Sequence, residues 1–236
     1  MRCALTLSYN GTSYLGSQTQ TETSNTVLGN LEKVLKKLGI DFRVVASGRT
    51  DKGVHATGQV CHIDLPEFWD DLEKLKRVIN KMLPSSIHIK SIQEVSADFH
   101  ARYSAKTRVY RYIIKKGVSN PFEEGFITFD RDADFKLLKK NIAVFIGEHD
   151  FKNFMKTGSD SKSSVRVIYR AFAYMYNGYI ILNFEANGFL RSQIRLMVGA
   201  LLQLNITQIQ EQLTSSKKYK VRPAKSNGLY LSKIKY

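Results

Sequence analysis

The sequence predicts an α+β protein made of two halves that share the order β-α-β-β-α-β. Two observations predict it. Short alternating apolar runs flank segments whose apolar residues recur every three or four positions. The series strand, helix, strand, strand, helix, strand then occurs twice, with little likeness between the copies. A chain of 236 residues can bury a real core as one large domain or two modest ones. The division read from the pattern is 1–98 and 99–236.

In the first half, residues 2–9 alternate as a strand. Thr26 is a good helix N-cap, and Val27, Leu31, Val34, Leu35 and Leu38 make one apolar stripe ended by Gly39. Strands follow at 41–46 and 59–65, with a polar loop between them. Trp69, Leu72, Leu75, Ile79 and Met82 mark a second helix that stops before Pro84. Residues 87–92 close the half as a strand. The second half opens with a strand at 106–116 and a helix over 132–146. Strands at 165–175 and 179–186 form a hairpin across Asn177-Gly178. A helix over 188–203 carries Leu190, Ile194, Met197, Val198 and Leu201, and the last strand covers 228–235. Residues 117–131 and 147–164 read as loops.

Composition removes several classes of function. No apolar run approaches the length of a membrane span. The N-terminus alternates like a strand and lacks a signal-peptide core, so a cytoplasmic protein is expected. The only cysteines, Cys3 and Cys61, exclude a disulfide framework and read as buried thiols. His55, His62, His88, His100 and His149 show no metal-ligand spacing, and no metal is expected. Glu148-His149-Asp150 reads as loop surface, because adjacent side chains diverge.

Charge points the other way, toward a partner. The chain has 36 basic and 21 acidic residues, a net charge of +15. Arg102, Lys106, Arg108, Arg111, Lys115 and Lys116 fall in one stretch without an acid, among Tyr103, Tyr110 and Tyr112. After Glu211 the chain has only basic charges. A lysine-rich solvated surface would show the same excess. Rings beside cations favour nucleic acid, with bases to stack and phosphates to meet.

The polar loop 46–56 is the candidate for chemistry. Gly48 and Gly53 bracket one carboxylate, Asp51, and two cations, Arg49 and Lys52. Their spacing matches the glycines of a phosphate-binding loop, but Val54-His55 stands where Lys-Ser/Thr is required. Nucleotide binding is therefore rejected. On loop chemistry alone, a tight turn with Asp51 bonded to the backbone remains open beside a catalytic role.

The run Gly48-Arg49-Thr50-Asp51-Lys52-Gly53-Val54-His55-Ala56 resembles the signature of the TruA-type tRNA pseudouridine synthases. So do Tyr9-Asn10-Gly11 with Gly16, the block Asp98-Phe99-His100-Ala101-Arg102-Tyr103-Ser104-Ala105, Asn187-Gly188-Phe189-Leu190 with Ile194-Arg195, and Gly228-Leu229-Tyr230-Leu231. These blocks occur in family order along nearly the whole chain. The resemblance implies two α+β halves sharing a central antiparallel sheet, with an active-site cleft between them. It implies an isomerase that needs no cofactor and acts on the tRNA anticodon stem-loop at positions 38 to 40. It also implies a homodimer with tRNA as partner and no membrane.

Matched residue by residue, the resemblance makes Asp51 the catalytic carboxylate and Arg195 the cation paired with it. Tyr110 joins the catalytic set, with a ring to stack on uracil and a hydroxyl to relay a proton. Arg49 is implicated in flipping or holding the nucleotide, and Lys52, His55 and Arg102 count with it as substrate-binding residues. The target base must leave its stack to be reached. The alternative reading is a tRNA-binding or RNA-folding protein that keeps the loop as structure.

Three places depart from the family pattern. Ser17 and Thr19 stand where Trp and Arg are common, in a loop expected near bound tRNA. Gln193 stands where Met is usual, and Asn227 where an acid often stands. The stretch from Gly158 to Ser164 is expected to be mobile until RNA arrives.

Overall fold

The computed structural model describes residues 1–156, 158 and 163–236. Most of the serine-rich stretch expected to be mobile lies outside the described residues. The chain forms two compact units, Met1–Lys106 with Tyr230–Tyr236, and Thr107–Leu229. These limits differ from the division at residue 98 for a physical reason. The Ala101 N–H donates to His62 Nδ1 at 3.1 Å, the Tyr236 hydroxyl to the Ala101 carbonyl at 2.9 Å, and the Lys106 N–H to the Lys235 carbonyl at 2.8 Å. Residues 99–106 and the last strand are thereby bound into the first unit.

The first unit contains β1 (Arg2–Tyr9), α1 (Val27–Lys37), β2 (Val45–Ala46), β3 (His55–Asp64), α2 (Leu72–Met82) and β4 (Ile87–Glu94). It also holds nearly all of β10 (Leu229–Lys235). Its sheet runs β4-β1-β3-β10, with β2 paired to β3. β1 is antiparallel to both β3 and β4, and β10 runs parallel to β3 with Tyr230 opposite His55. Alternation puts Cys3, Leu5, Leu7 and Tyr9 inside. Both cysteines are buried free thiols, and burial holds the Cys61 thiol neutral. Thr26 caps α1 as expected, its side chain accepting from the Gly29 N–H. α2 starts later than Trp69, because the Asp71 side chain caps it by accepting from the Lys74 N–H at 2.8 Å. Trp69 instead donates its indole N–H to the Leu38 carbonyl at the end of α1.

β3 begins at His55, four residues before the strand read from the sequence. The extra residues carry no apolar alternation. Gly58 is needed there because a Cβ would lie 2.4 Å from the Ser232 carbonyl oxygen of β10.

The second unit contains β5 (Thr107–Lys116), β6 (Thr128–Asp130), α3 (Phe135–Asn141), β7 (Gly147–Asp150), β8 (Val165–Tyr176), β9 (Tyr179–Ala186), α4 (Gln193–Gln203) and α5 (Ile206–Leu213). Its sheet runs β5-β9-β8-β7, all antiparallel, with β6 parallel to β5. The α+β class is as the sequence predicts, and the mostly antiparallel strand pairing is as the resemblance implies. The expected loops do contain short strands, β6 and β7, and Glu148-His149-Asp150 lies within β7. Such strands are too short for alternation to show, and their pairing comes from neighbours far along the chain. α5 was hidden likewise, although Asn205 and Gln208 form a reciprocal capping box at its start.

Leu31 lies on the inner face of α1 and is wholly buried. Leu31→Ala should cost about 2–5 kcal/mol of stability. Urea denaturation would measure it, and a cost below about 1 kcal/mol would contradict this placement of α1.

Candidate active site

The Asp51 loop is clamped from one side by the segment after β1. Ser17 and Thr50 bond twice: the Thr50 N–H donates to Ser17 Oγ at 2.8 Å, and the Ser17 N–H donates to the Thr50 carbonyl at 3.1 Å. The Tyr9 and Thr50 hydroxyls bond at 2.9 Å. The Gly11 N–H donates to His55 Nδ1 at 3.1 Å. Gly11 must be glycine, since a Cβ there would sit 2.0 Å from the Val54 carbonyl oxygen. The clamp is itself tied to α1, whose Leu28 N–H donates to the Ser17 carbonyl.

Within the loop, the Val54 N–H closes a tight turn on the Asp51 carbonyl at 3.1 Å, and Gly53 supplies the positive φ of 76° that this turn needs. Gly48 has a different place. Its carbonyl accepts from the Gln59 side chain, whose Oε1 accepts from the Ser47 hydroxyl. Thr50 and Val54 are therefore buried on either side of Asp51, which is half-buried, while Arg49 and Lys52 are exposed.

His55 is 1% exposed, and its ring stacks on Tyr230 at 4.6 Å. Burial pushes the Tyr230 phenol up to about 12. His55 thus sits inside the first unit as an acceptor for Gly11. Arg102 is exposed beside Tyr103, on a turn held by two imidazoles. His100 Nδ1 accepts from the N–H groups of Arg102 and Tyr103, and His62 Nδ1 accepts from Ala101. Burial lowers the His62 pKa, and His100 and Arg2 lower it further. That favours the neutral ring, which can accept. Arg2 braces the same turn by donating to the Ala97 and Phe99 carbonyls. Its hydrogen bonds to Asp64 hold that carboxyl below the usual range.

The second unit carries the other expected residues. Tyr110 is half-buried on β5, edge-on to Phe189 with centroids 5.3 Å apart. Tyr112 shares its side of the strand and belongs to the core. The Tyr112 hydroxyl donates to the Lys225 carbonyl and bonds the Thr128 hydroxyl, and burial raises its pKa. Arg195 is half-buried on α4, with its Nε–H on the Ala224 carbonyl at 2.7 Å. Gln193, wholly buried, accepts from the Leu190 N–H ahead of α4. Asn227 donates to the Glu124 and Ile127 carbonyls, which an acid could not do once ionised.

Sequence reasoning did not find the clamp residues Tyr9, Gly11 and Ser17, nor the Ala224 contact of Arg195. Only the family spacing of Tyr9, Gly11 and Gly16 hinted at the first group. Among the described residues, no cluster of His, Cys, Asp or Glu side chains is placed to hold a metal ion, and no helix is long and apolar enough to cross a membrane.

A carboxylate loop clamped on a strand of a basic chain places the protein in the α+β class, with a candidate site on a sheet-borne loop. Comparison with known proteins narrows it. A family model described as tRNA pseudouridine synthase matches residues 6–104 and 142–236. A protein named tRNA pseudouridine synthase A from Campylobacter jejuni is 38% identical over the full length of both chains. One of the same name from Wolinella succinogenes is 35% identical over 98% of this chain and 92% of its own. Another from Streptococcus mutans is 38% identical over 98% and 96%. The chain belongs to the tRNA pseudouridine synthase family and is an isomerase.

Ser17→Ala leaves the buried Thr50 N–H without its acceptor. We expect a loss of about 1–3 kcal/mol in a urea melt, together with slower pseudouridine formation. Thr19→Ala, at an exposed site, should change stability by less than about 0.5 kcal/mol. Equal effects of the two substitutions would remove Ser17 from the clamp.

Proposed function

We propose that this protein converts uridine to pseudouridine in the tRNA anticodon stem-loop, at positions 38 to 40, with Asp51 as the catalytic carboxylate. The observation that carries this reading is the clamp. It fixes Thr50 and His55 from behind and leaves Asp51 between them at the turn. A residue held this way keeps its geometry without being part of the core.

The reaction breaks the bond from uracil N1 to C1′, turns the base, and joins C5 to C1′. The hydrogen on C5 leaves as a proton, and N1 regains one. No redox step occurs and no energy source is needed. A carboxylate serves as nucleophile or as stabiliser of a cationic sugar, as in glycoside chemistry. In this reading Arg195 pairs with Asp51 and keeps it ionised, and Tyr110 stacks on the everted base. Arg49, Lys52 and Arg102, all exposed, meet the RNA. His55 contributes by holding the loop, given its burial and its bond to Gly11. The cytoplasm, where tRNA is found, is the proposed location.

A homodimer is proposed with it. On β8, Arg170, Phe172 and Tyr174 point away from the side that buries Ala171 and Ala173. The Phe172 and Tyr174 rings stack at 6.0 Å, and the Arg170 guanidinium lies 5.3 Å from the Phe172 centroid. An exposed aromatic stripe of this kind marks an interaction surface.

The enzyme reading is tested with tRNA transcript tritiated at uracil C5. Native protein should release tritium and place pseudouridine at 38, 39 or 40. Asp51→Asn should bind the RNA and release none. Binding without release by the native protein, across several tRNAs, would leave only an RNA-binding or RNA-folding role. For the dimer, light scattering should give twice the 26.9 kDa chain mass, and Phe172→Asp should halve it. A native protein that is monomeric at micromolar concentration would refute the dimer.

A further inference from the structure

We infer that Gln203 is a positioning residue for Arg195, acting through the strap 221–224 that lies along α4. This rests on the proposed role of Arg195 as the partner of the catalytic carboxylate. Arg195, Gly199 and Gln203 are spaced by four on α4 and so share one face of the helix. Each makes a different contact with the strap.

At one end, the Gln203 side chain grips Arg222 from both sides. Its Nε2 donates to the Arg222 carbonyl at 2.8 Å, and its Oε1 accepts from the Arg222 N–H at 3.1 Å. The same Nε2 donates to the Gly199 carbonyl at 2.9 Å, which fixes the amide against its own helix. In the middle, Gly199 lets the strap lie directly on the helix. A Cβ there would be 2.3 Å from the Arg222 carbonyl oxygen. At the other end, Arg195 and Ala224 bond twice. The Ala224 N–H donates to the Arg195 carbonyl at 2.8 Å, and the Arg195 Nε–H donates to the Ala224 carbonyl at 2.7 Å.

The Ala224 carbonyl therefore sets the rotamer of Arg195, and Gln203 sets where that carbonyl stands. An arginine has several rotatable bonds, and a guanidinium is useful against a carboxylate only in a narrow geometry. Fixing Nε on a backbone carbonyl leaves the terminal nitrogens aimed in one direction. Gln203 itself is exposed, so its loss does not open the core.

The test compares Gln203→Leu, Arg195→Lys and the double variant, with tritium release, RNA affinity and thermal melting measured on each. Lysine has no Nε–H, and its ammonium lies one atom further out, so it cannot keep the geometry that the Ala224 carbonyl imposes on arginine. Gln203→Leu alone should lower kcat roughly three- to tenfold, with KM within about twofold and an unchanged melting temperature. In the Arg195→Lys background the same substitution should cost nothing further, the non-additivity expected of residues acting through one group. Gln203→Glu, which keeps an acceptor for the Arg222 N–H, should recover part of kcat. An unchanged kcat in Gln203→Leu, or a loss that recurs in full in the double variant, would overturn the inference. Arg195→Lys separates the two claims. If it retains full kcat, the role of Arg195 falls and the inference with it. If it loses activity while Gln203→Leu does not, only the role of Gln203 falls.

Discussion

The close approach of Gly11 to Val54 governs the candidate site. With 2.0 Å between a would-be Cβ and the Val54 carbonyl oxygen, the two backbones touch with no side chain between them. That contact brings Ser17 and Tyr9 within bonding distance of Thr50, and His55 within reach of the Gly11 N–H. Each of these groups is buried, so each bond also removes a desolvation cost. The result is a carboxylate on a short turn whose two flanks are fixed. A loop without such support would have to be ordered at every catalytic turn.

Three histidines serve this chain as backbone acceptors. His55, His62 and His100 each take backbone N–H donors at Nδ1. An acceptor nitrogen must be unprotonated, and burial of His62 works in that direction. The exposed cations Arg49, Lys52 and Arg102 lie by contrast on loops and turns.

Much of the secondary structure was legible before any coordinates. β1, α1 and the β8–β9 hairpin follow from alternation, a helical stripe with its cap, and Asn177-Gly178. β6, β7 and α5 were not legible, because two are very short and the third follows α4 after a brief break. Of the proposed site, Asp51, Tyr110 and Arg195 were picked out by the motifs that resemble the family's. The departure at Ser17 read only as a change in a loop expected near tRNA. The structure gives Ser17 a bond to the backbone of Thr50, 33 residues away, which no local pattern records.

The sequence by itself determined the α+β class, the family, the basic character and the residues proposed for chemistry. Those depend on local periodicity, composition and contiguous motifs, which a linear reading can see. Tertiary structure alone decided that residues 99–106 and the last strand join the first unit, that His55 faces inward, and that a strap meets Arg195 and Gln203. These depend on which distant backbone groups become neighbours. Buried N–H and C=O groups must find partners wherever the fold supplies them, and no local pattern records the choice.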